Sequence, residues 1–579
     1  MADHLKPVVL TLLAAPVLLL GLGTPAFMDH EGRYAEVARE MLLTGDWITP
    51  HLNFTVFLNK PPLPYWLTAL TFELVGLNEY VRLWPAVVGL GTLVVTACLG
   101  QTLAGPRGGL RAGFVLLTSA GFFLESRILR PDLLLTLLLS MALLGFLKAS
   151  AARADDVRTR WVCLCALSLA LSMLTKGLVG VVLAGGTVGL VLLLCGRFSL
   201  LRQTRWWPAL AIVLAVVFPW YLLAGLRNEG FWWDYVVNQH LLFFFDRKFP
   251  RDSLPDSLLV FWGAFLLRTF PWSVFLPVAI LRTLTIIRSS RTPGTILPLA
   301  WLGIVLAFFS CSPSRLEHYS LPALPAVALL IGRWWAEVME RGVRAPGGLV
   351  SCAVLILVGV SGFLVVPGLV ESESWAQGFP ELTRPLPAVC GIIVLGAAVA
   401  LQSLWHGRSQ LAFVVLVITM TPQFFFIHQA LTLIEPVNSW KAVGTHLAQL
   451  LPRDGEAVFA ASEEYQICGG LNFYSGKPLT ILLPDGYTPP TYLAFGHHTP
   501  FLTRAGFLYR WQGDRPILLV IDPDRGETDP AALAPPPMFV VGKWGERLLL
   551  ANRAFAEAAG ATHASPLPKC KVGTAHPTD

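Results

Sequence analysis

Charged residues are scarce in this sequence. Only 14% of its 579 residues are Asp, Glu, Lys or Arg, whereas 54% are hydrophobic. An ordinary soluble domain carries about 25% charged residues, so this composition excludes a cytosolic enzyme and a disordered chain. The net charge is only +6 and is spread along the chain, which excludes a nucleic-acid partner. The composition is that of a polytopic membrane protein.

Motifs for common soluble chemistry are also lacking. The nine cysteines lie mostly inside apolar runs, and none has the spacing of a metal-binding pair. The region after Glu435 has no glycine-rich phosphate loop and no G-x-S-x-G motif. The sequence therefore contains no motif that indicates a catalytic activity for that region.

Long apolar runs, by contrast, are abundant. A helix needs about 20 mostly apolar residues to cross a bilayer, and about 13 runs qualify. The first run, Val8 to Phe27, is too long for a signal peptide and lacks a cleavage site, so we expect a retained helix. The predicted helices begin near residues 7, 83, 111, 132, 161, 178, 208, 259, 295, 319, 347, 387 and 410.

The loops between these runs differ in charge. Lys and Arg are dense in alternate short loops, which the positive-inside rule assigns to the cytoplasm if the N-terminus is cytoplasmic. Acidic residues, including Asp29 and Asp132, then fall on the outer side, where ionisable groups beside a bilayer usually have a function. An odd number of spans also places the C-terminal region outside. We therefore predict a protein of the inner (plasma) membrane with an extracytoplasmic working face.

The composition changes near residue 435, where apolar runs shorten and polar residues increase. Strands are predicted at 456–460, 479–483, 516–521 and 538–541, and a helix at 438–451. The predicted fold class is a polytopic α-helical membrane protein with a C-terminal extracytoplasmic α/β domain. The membrane domain covers 1–435, with an outer loop at 28–82, and the soluble domain covers 436–579.

The outer loop opens with an amphipathic segment. Tyr34, Ala38 and Met41 form an apolar stripe at helical spacing, which predicts a helix lying along the membrane surface. We expect three charged residues on its other face to be solvated; these are Glu36, Arg39 and Glu40.

Two features of this loop indicate chemistry. Asp29 and Glu31 lie at the exit of the first apolar run, where a carboxylate pair suits either a base or a divalent-cation site. Lys60 precedes Pro61-Pro62, and a cation on a stiff loop suits a phosphate oxygen. The alternative for Lys60 is contact with lipid headgroups.

Several motifs follow one another in a fixed order. They are Asn59-Lys60-Pro61-Pro62, Arg130-Pro131-Asp132, Leu174-Thr175-Lys176-Gly177, Gln239-His240-Leu241 and Arg315-Leu316-Glu317-His318-Tyr319. With these motifs, the chain resembles the GT-C membrane glycosyltransferases, above all the aminoarabinose transferase of lipid A and the protein O-mannosyltransferases.

This resemblance implies inverting transfer of a sugar from a polyprenyl (undecaprenyl) phosphate to lipid A, a protein or an envelope glycan. It implies catalytic roles for Asp29, Glu31 and Asp132. A metal is not required, because the leaving group is already a phosphate; a divalent metal, if present, would use Glu31 and His240. Expected phosphate contacts are Lys60, Arg130, Arg247, Arg315 and Tyr319, and further site positions are Arg33, Tyr34, His240 and His318.

The sequence also departs from the family pattern. His30 stands where the acidic pair usually has Asp, Asn59 stands where the aminoarabinose transferases usually have Glu, and no arginine follows His240 at the usual place. These departures leave open a non-catalytic relative that binds a glycolipid, and a lipid or glycolipid transporter (flippase) is a separate alternative. A transporter predicts charges in mid-span and inverted repeats, whereas here the charges crowd the outer ends of the spans.

Overall fold

The structure, a computed structural model, describes residues 5–249, 255–341, 345–372, 379–460, 465–486, 500–522, 533–559 and 565–566. Ten helices in these ranges are long and apolar enough to cross a membrane, and three shorter ones are apolar. They show a multi-pass membrane protein. The ten are Glu79–Leu117, Asp132–Ala151, Asp155–Lys176, Trp206–Arg227, Trp272–Ser289, Pro293–Cys311, Glu317–Arg341, Pro346–Val370, Leu386–Trp405 and Ser409–Leu433; the three are Val9–Leu19, Val179–Cys195 and Leu258–Arg268.

One of the long helices contains two of the predicted runs. The helix Leu83–Leu117 is broken at Ala104 and Gly105, and Gly105 has the positive φ of 68° that favours glycine. The two halves fold back on each other so closely that a Cβ on Gly109 would lie 2.5 Å from the carbonyl oxygen of Ala97. The runs predicted at 83 and 111 are therefore the two arms of a hairpin.

The first outer loop forms a compact layer at one end of the helix bundle. It contains the helix Asp29–Thr44, called the loop helix below, and a short antiparallel hairpin of His51–Leu52 and Thr55–Val56. The helix Leu63–Val75 and a turn at Glu79–Arg82 complete the layer.

The C-terminal domain is built on a seven-stranded sheet, which confirms the predicted α/β region. Four neighbouring strands are parallel, in the order Phe501–Leu502, Thr480–Leu482, Glu456–Ala460 and Ile517–Ile521. Three antiparallel strands continue the sheet: Arg547–Ala551, Phe539–Trp544 and Ser565–Pro566. The helices are Lys441–Leu450, Gly469–Ser475, Arg504–Trp511 and Arg553–Ala558.

The prediction missed three short strands of this sheet, at 501–502, 547–551 and 565–566. The last apolar helix ends at Leu433 and a short helix, Glu435–Asn438, follows. The division into domains at 435 and 436 stays a prediction.

The C-terminal domain packs on the loop helix. Gly32 approaches Gly470 so closely that a Cβ on Gly32 would clash with the Gly470 Cα. Just before the loop helix, the Phe27 backbone N–H donates to the Tyr474 hydroxyl at 2.7 Å. The first outer loop and the C-terminal domain therefore lie on the same side of the bundle.

This packing makes one prediction wrong. Glu36, Arg39 and Glu40 are buried rather than solvated, because the C-terminal domain covers their face of the loop helix. Arg39 donates two hydrogen bonds of 2.7 Å to the Glu36 carboxylate. Burial, and then the Glu36 charge, raise the pKa of Glu40 to about 9.

Candidate active site

A polar cavity lies between the loop 28–82 and the ends of the helices on the same side of the bundle. Its volume is about 620 Å³. Among the described residues that line it, four basic side chains face one carboxylate, Asp132, so the lining favours an anion. The cations are Arg33, Lys60, Arg130 and Lys176; His30, Tyr34, His318 and Tyr319 also line the cavity.

An ion pair forms the floor of this cavity. Asp132 is the first residue of one helix and Lys176 the last residue of the next, so an antiparallel pair of helices brings both to the same end. Lys176 Nζ donates to Asp132 Oδ1 at 2.6 Å and lies 4.2 Å from the centre of the Tyr319 ring. Asp132 is 3% exposed, yet its Oδ2 faces His318 Nε2 at 4.0 Å, beyond hydrogen-bond distance.

A series of ion pairs supports the side of the cavity that His318 and Arg130 form. His318 Nδ1 lies 3.5 Å from Glu317 Oε1, and Arg268 pairs with Glu317. Arg268 also donates to Glu125 Oε1 at 2.6 Å, and that same oxygen lies 3.9 Å from Arg130. One buried guanidinium thus holds two carboxylates, which in turn orient two side chains of the cavity wall.

Lys60 lines the cavity and is connected to the C-terminal domain by two hydrogen bonds in series. Its Nζ donates to Asn59 Oδ1 at 2.9 Å, and Asn59 Nδ2 donates to Gln466 Oε1 at 2.9 Å. Arg33 donates to the same Gln466 oxygen at 2.6 Å. Two cations of the cavity are therefore held in place from the C-terminal domain.

An apolar cavity adjoins the polar one. Its volume is about 1180 Å³, and Val179, Val182, Leu241 and residues 243–245 contribute to its wall. Such a cavity suits a long hydrocarbon chain. The two cavities share five lining residues: Asn59, Lys60, Lys176, Phe243 and Tyr319.

His240 lies in the wall of the apolar cavity. Its Nε2 accepts the Leu178 N–H at 3.2 Å, and its Nδ1 lies 2.6 Å from the Tyr235 carbonyl oxygen. A neutral ring with the proton on Nδ1 satisfies both contacts. Burial lowers the pKa of His240, which favours this neutral form.

Glu31 is enclosed by hydrogen-bond donors. Arg82 binds its two oxygens at 2.9 and 2.7 Å, and the N–H groups of Leu129 and Met28 donate to them at 2.9 and 3.1 Å. Burial opposes ionisation, but Arg82 and these donors outweigh it and lower the pKa of Glu31. These are the contacts of a structural ion pair, and the catalytic role of Glu31 stays a prediction.

Two other predicted positions, Arg315 and Arg247, lie apart from the cavities. Arg315 donates to the backbone carbonyls of Asp256, Phe309 and Ser310. Arg247 is exposed and, like Arg315, lines neither cavity. Asp29 is the first residue of the loop helix, and its side chain lies outside the described part of the structure.

The proposed metal ligands do not fit a cation. Each Glu31 oxygen already accepts two N–H donors, and both nitrogens of His240 are in hydrogen bonds. Among the described residues, no three His, Cys, Asp or Glu side chains form a group that could hold a metal ion.

Sequence reasoning gave no role to four residues of the site: Lys176, Glu125, Arg268 and Gln466. Lys176 carried a usable signal, since it is a cation at the outer end of an apolar run. Glu125 and Arg268 have the same kind of position, but their pairing joins segments 143 residues apart. Gln466 had no signal at all.

Comparisons with known proteins find similar chains. Residues 59–222 match the family model described as dolichyl-phosphate-mannose-protein mannosyltransferase. The undecaprenyl phosphate-alpha-4-amino-4-deoxy-L-arabinose arabinosyl transferase of Pectobacterium atrosepticum is 28% identical over 70% of this chain and 76% of its own length. The enzyme of the same name from Pseudomonas savastanoi is 31% identical over 60% of this chain and 65% of its own.

The fold is that of a solved relative. The crystal structure of ArnT from Cupriavidus metallidurans bound to undecaprenyl phosphate has a TM-score of 0.79 and 24% identity, over 94% of this chain and 98% of that one. The transporter alternative is not favoured by any of these matches. The chain is therefore a membrane glycosyltransferase with the GT-C fold, similar to the aminoarabinose transferases.

Proposed function

We propose that this enzyme transfers a sugar from undecaprenyl phosphate to an acceptor at the outer face of the inner membrane. The observation that carries the proposal is the junction of the two cavities, where Lys60 and Lys176 line both. A prenyl phosphate sugar has the same three parts in the same order: an apolar chain, an anion and a polar ring.

The donor fits this junction in one direction. The prenyl chain occupies the apolar cavity, and the phosphate lies beside Lys60 and Lys176, near the aromatic ring of Tyr319. The sugar then lies in the polar cavity with Asp132 and His318. The names of the relatives favour 4-amino-4-deoxy-L-arabinose as the sugar.

The same placement accounts for the chemistry. The acceptor oxygen attacks carbon 1 of the sugar, and the bond from carbon 1 to the phosphate oxygen breaks with both electrons going to the phosphate. Lys60 and Lys176 stabilise the charge that develops on the phosphate. A hydroxyl acceptor gives its proton to Asp132 Oδ2, the oxygen that Lys176 does not bind, with His318 on the other side of it. Attack from the side opposite the leaving phosphate inverts the configuration at carbon 1 of the sugar.

The acceptor is a lipid, a protein or an envelope glycan. The transfer requires no metal in this proposal, because the phosphate leaving group is already attached to carbon 1. Rates measured with EDTA, and after adding back a divalent cation, test whether a metal contributes.

The orientation is part of the proposal. The loop helix and the C-terminal domain share one side of the bundle, and the density of Lys and Arg in the loops supports a periplasmic location for that side. A reporter active only outside the cytoplasm, fused after Asp579, should give signal. Signal from a reporter active only in the cytoplasm would reverse the orientation.

Reconstitution tests the activity. The purified chain in liposomes, given undecaprenyl phosphate carrying a radiolabelled sugar and an envelope extract, should release undecaprenyl phosphate and label an acceptor. A flippase would move the donor between leaflets without consuming it, and a non-catalytic binder would leave it in place.

A further inference from the structure

A third cavity lies in the C-terminal domain. Its volume is about 1100 Å³, and it shares no lining residue with the two cavities of the active site. It lies at the amino ends of the parallel strands and is bordered by the turn at 53–55 of the first outer loop. The proposed transfer uses none of the residues that line this cavity.

The lining of this basic cavity favours an anion. Arg453, Lys477, Arg510 and Arg515 face it, and Glu456 is the one acidic residue among the described residues that line it. Four cations against one carboxylate give the lining a net charge of +3.

The one carboxylate is used to fix two of the cations. Glu456 is only 6% exposed, and its Oε1 accepts from Thr480 Oγ1 at 2.6 Å and from Arg510 at 2.7 Å. Its Oε2 accepts from Arg515 at 3.2 Å. Both guanidinium groups are therefore anchored from below while about half of each side chain stays exposed.

An aromatic ring stands at the edge of the same cavity. Phe54 is 45% exposed and has φ of 56°, a left-handed conformation that bulky residues rarely adopt. The turn is held from both sides: the Phe54 N–H donates to Glu40 at 2.8 Å, and Asn53 makes hydrogen bonds of 2.7 and 2.8 Å with the backbone of Leu479. The backbone of the turn that carries the exposed ring is thus held from two sides.

We infer that the basic cavity binds an acidic saccharide, one that carries phosphate or carboxylate groups, as the head of the acceptor. The cations match the acidic groups, and the Phe54 ring matches the apolar C–H face of a sugar ring. The assignment to the acceptor rests on the proposed function, whereas saccharide binding can be measured without it.

Binding is tested on the full chain in detergent micelles by saturation-transfer NMR. The probes are lactose 1-phosphate and lactobionate, with lactose as the uncharged control and inorganic phosphate as the control without a sugar. We expect both acidic sugars to bind about tenfold or more tightly than lactose, and less tightly at high salt. Their relative affinities distinguish a phosphate from a carboxylate ligand. Phosphate binding as tight as lactose 1-phosphate would overturn the saccharide assignment.

Variants locate the binding. Replacing two exposed cations together, Arg453→Gln with Lys477→Gln, should weaken binding about tenfold, because neither belongs to the buried Glu456 cluster. Phe54→Leu should weaken it and Phe54→Tyr should preserve it. Arg553→Gln, an exposed arginine elsewhere in this domain, should change nothing. Equal binding by the double variant and the wild type would refute the site.

Transfer kinetics test the link to the acceptor. The double variant should raise KM for an acidic acceptor while kcat and donor consumption stay at the wild-type level. An unchanged KM, in a wild type that consumes donor, would overturn the acceptor assignment alone. A wild type that consumes no donor would contradict the proposed function and leave the binding result standing.

Discussion

Glu31 and Asp132 are both predicted to be catalytic carboxylates, but their surroundings predict different effects when each is replaced. Replacing Glu31 with Gln removes the charge that pairs with Arg82, and the side chains of both residues are only 3% exposed. Replacing Asp132 with Asn removes an oxygen that faces the polar cavity. We expect the first change to reduce stability and the second to reduce turnover.

The magnitudes follow from the contacts. Breaking a buried ion pair by removing one partner costs about 3 to 5 kcal/mol, and in Glu31→Gln the new amide N–H₂ would also face N–H donors from Arg82 or the backbone. Losing a general base costs about 100-fold or more in rate. Glu31→Gln should therefore lower Tm by several degrees with turnover per folded molecule within about threefold of wild type, and Asp132→Asn should lower turnover about 100-fold.

The assay pairs thermal unfolding in detergent with transfer rates normalised to folded protein. Glu31→Asp, which keeps the charge, is the matched control and should recover part of the lost Tm. The pKa of Glu31 is lowered in the folded state, so its stabilisation is present above the unfolded value of 4.5 and is lost as the pH falls. The Tm difference from Glu31→Gln should shrink accordingly in acid. A Glu31→Gln protein with the wild-type Tm and a 100-fold rate loss (about the cost of a missing base) would refute this reasoning.

Three further changes probe the cations and the buried acid. Lys60→Ala should lower kcat about 100-fold with a smaller effect on donor KM, since the contact strengthens as the phosphate leaves. Lys60→Arg should keep partial activity. Equal rates of Lys60→Ala and the wild type at saturating donor would remove Lys60 from the mechanism. Arg268→Lys should lower kcat about tenfold with donor KM unchanged, because a lysine cannot hold Glu125 and Glu317 together as a guanidinium does; a change in KM alone would contradict this positioning role. The raised pKa of Glu40, about 9, means that stability declines as the pH rises from the unfolded value of 4.5 towards 9. Glu40→Gln should flatten that decline in a series of Tm measurements, and an unchanged pH profile would show that the burial of Glu40 has no such effect.

The helices of the bundle could be predicted because the bilayer imposes a length and an apolar composition on each one. The predicted start at 132 coincides with Asp132, and that at 83 with Leu83. The strand at 456–460 was found because a buried strand is a short apolar run between turns. The strand Phe501–Leu502 has only two residues, too few to show any period.

The environment of the loop helix could not be predicted from its own residues. A pattern with charges on one face describes a helix beside water, and nothing near Glu36 or Glu40 in the chain indicates a cover. The cover is the helix Gly469–Ser475, and it comes close enough because Gly32 and Gly469 have no side chains. Contacts between such distant segments depend on the whole fold.

The residue type alone does not distinguish the roles of the two carboxylates, Glu31 and Asp132. Each lies at the outer end of an apolar run, yet Glu31 is bound by Arg82, 51 residues away, and Asp132 by Lys176, 44 residues away. Arg82 forms a fork that occupies both oxygens of its partner, and two backbone N–H groups complete the enclosure. Lys176 is a point charge that binds one oxygen and leaves the other facing the cavity. In the proposed transfer, the cation opposite each carboxylate, rather than the carboxylate itself, therefore determines which of the two is available to take a proton from an acceptor.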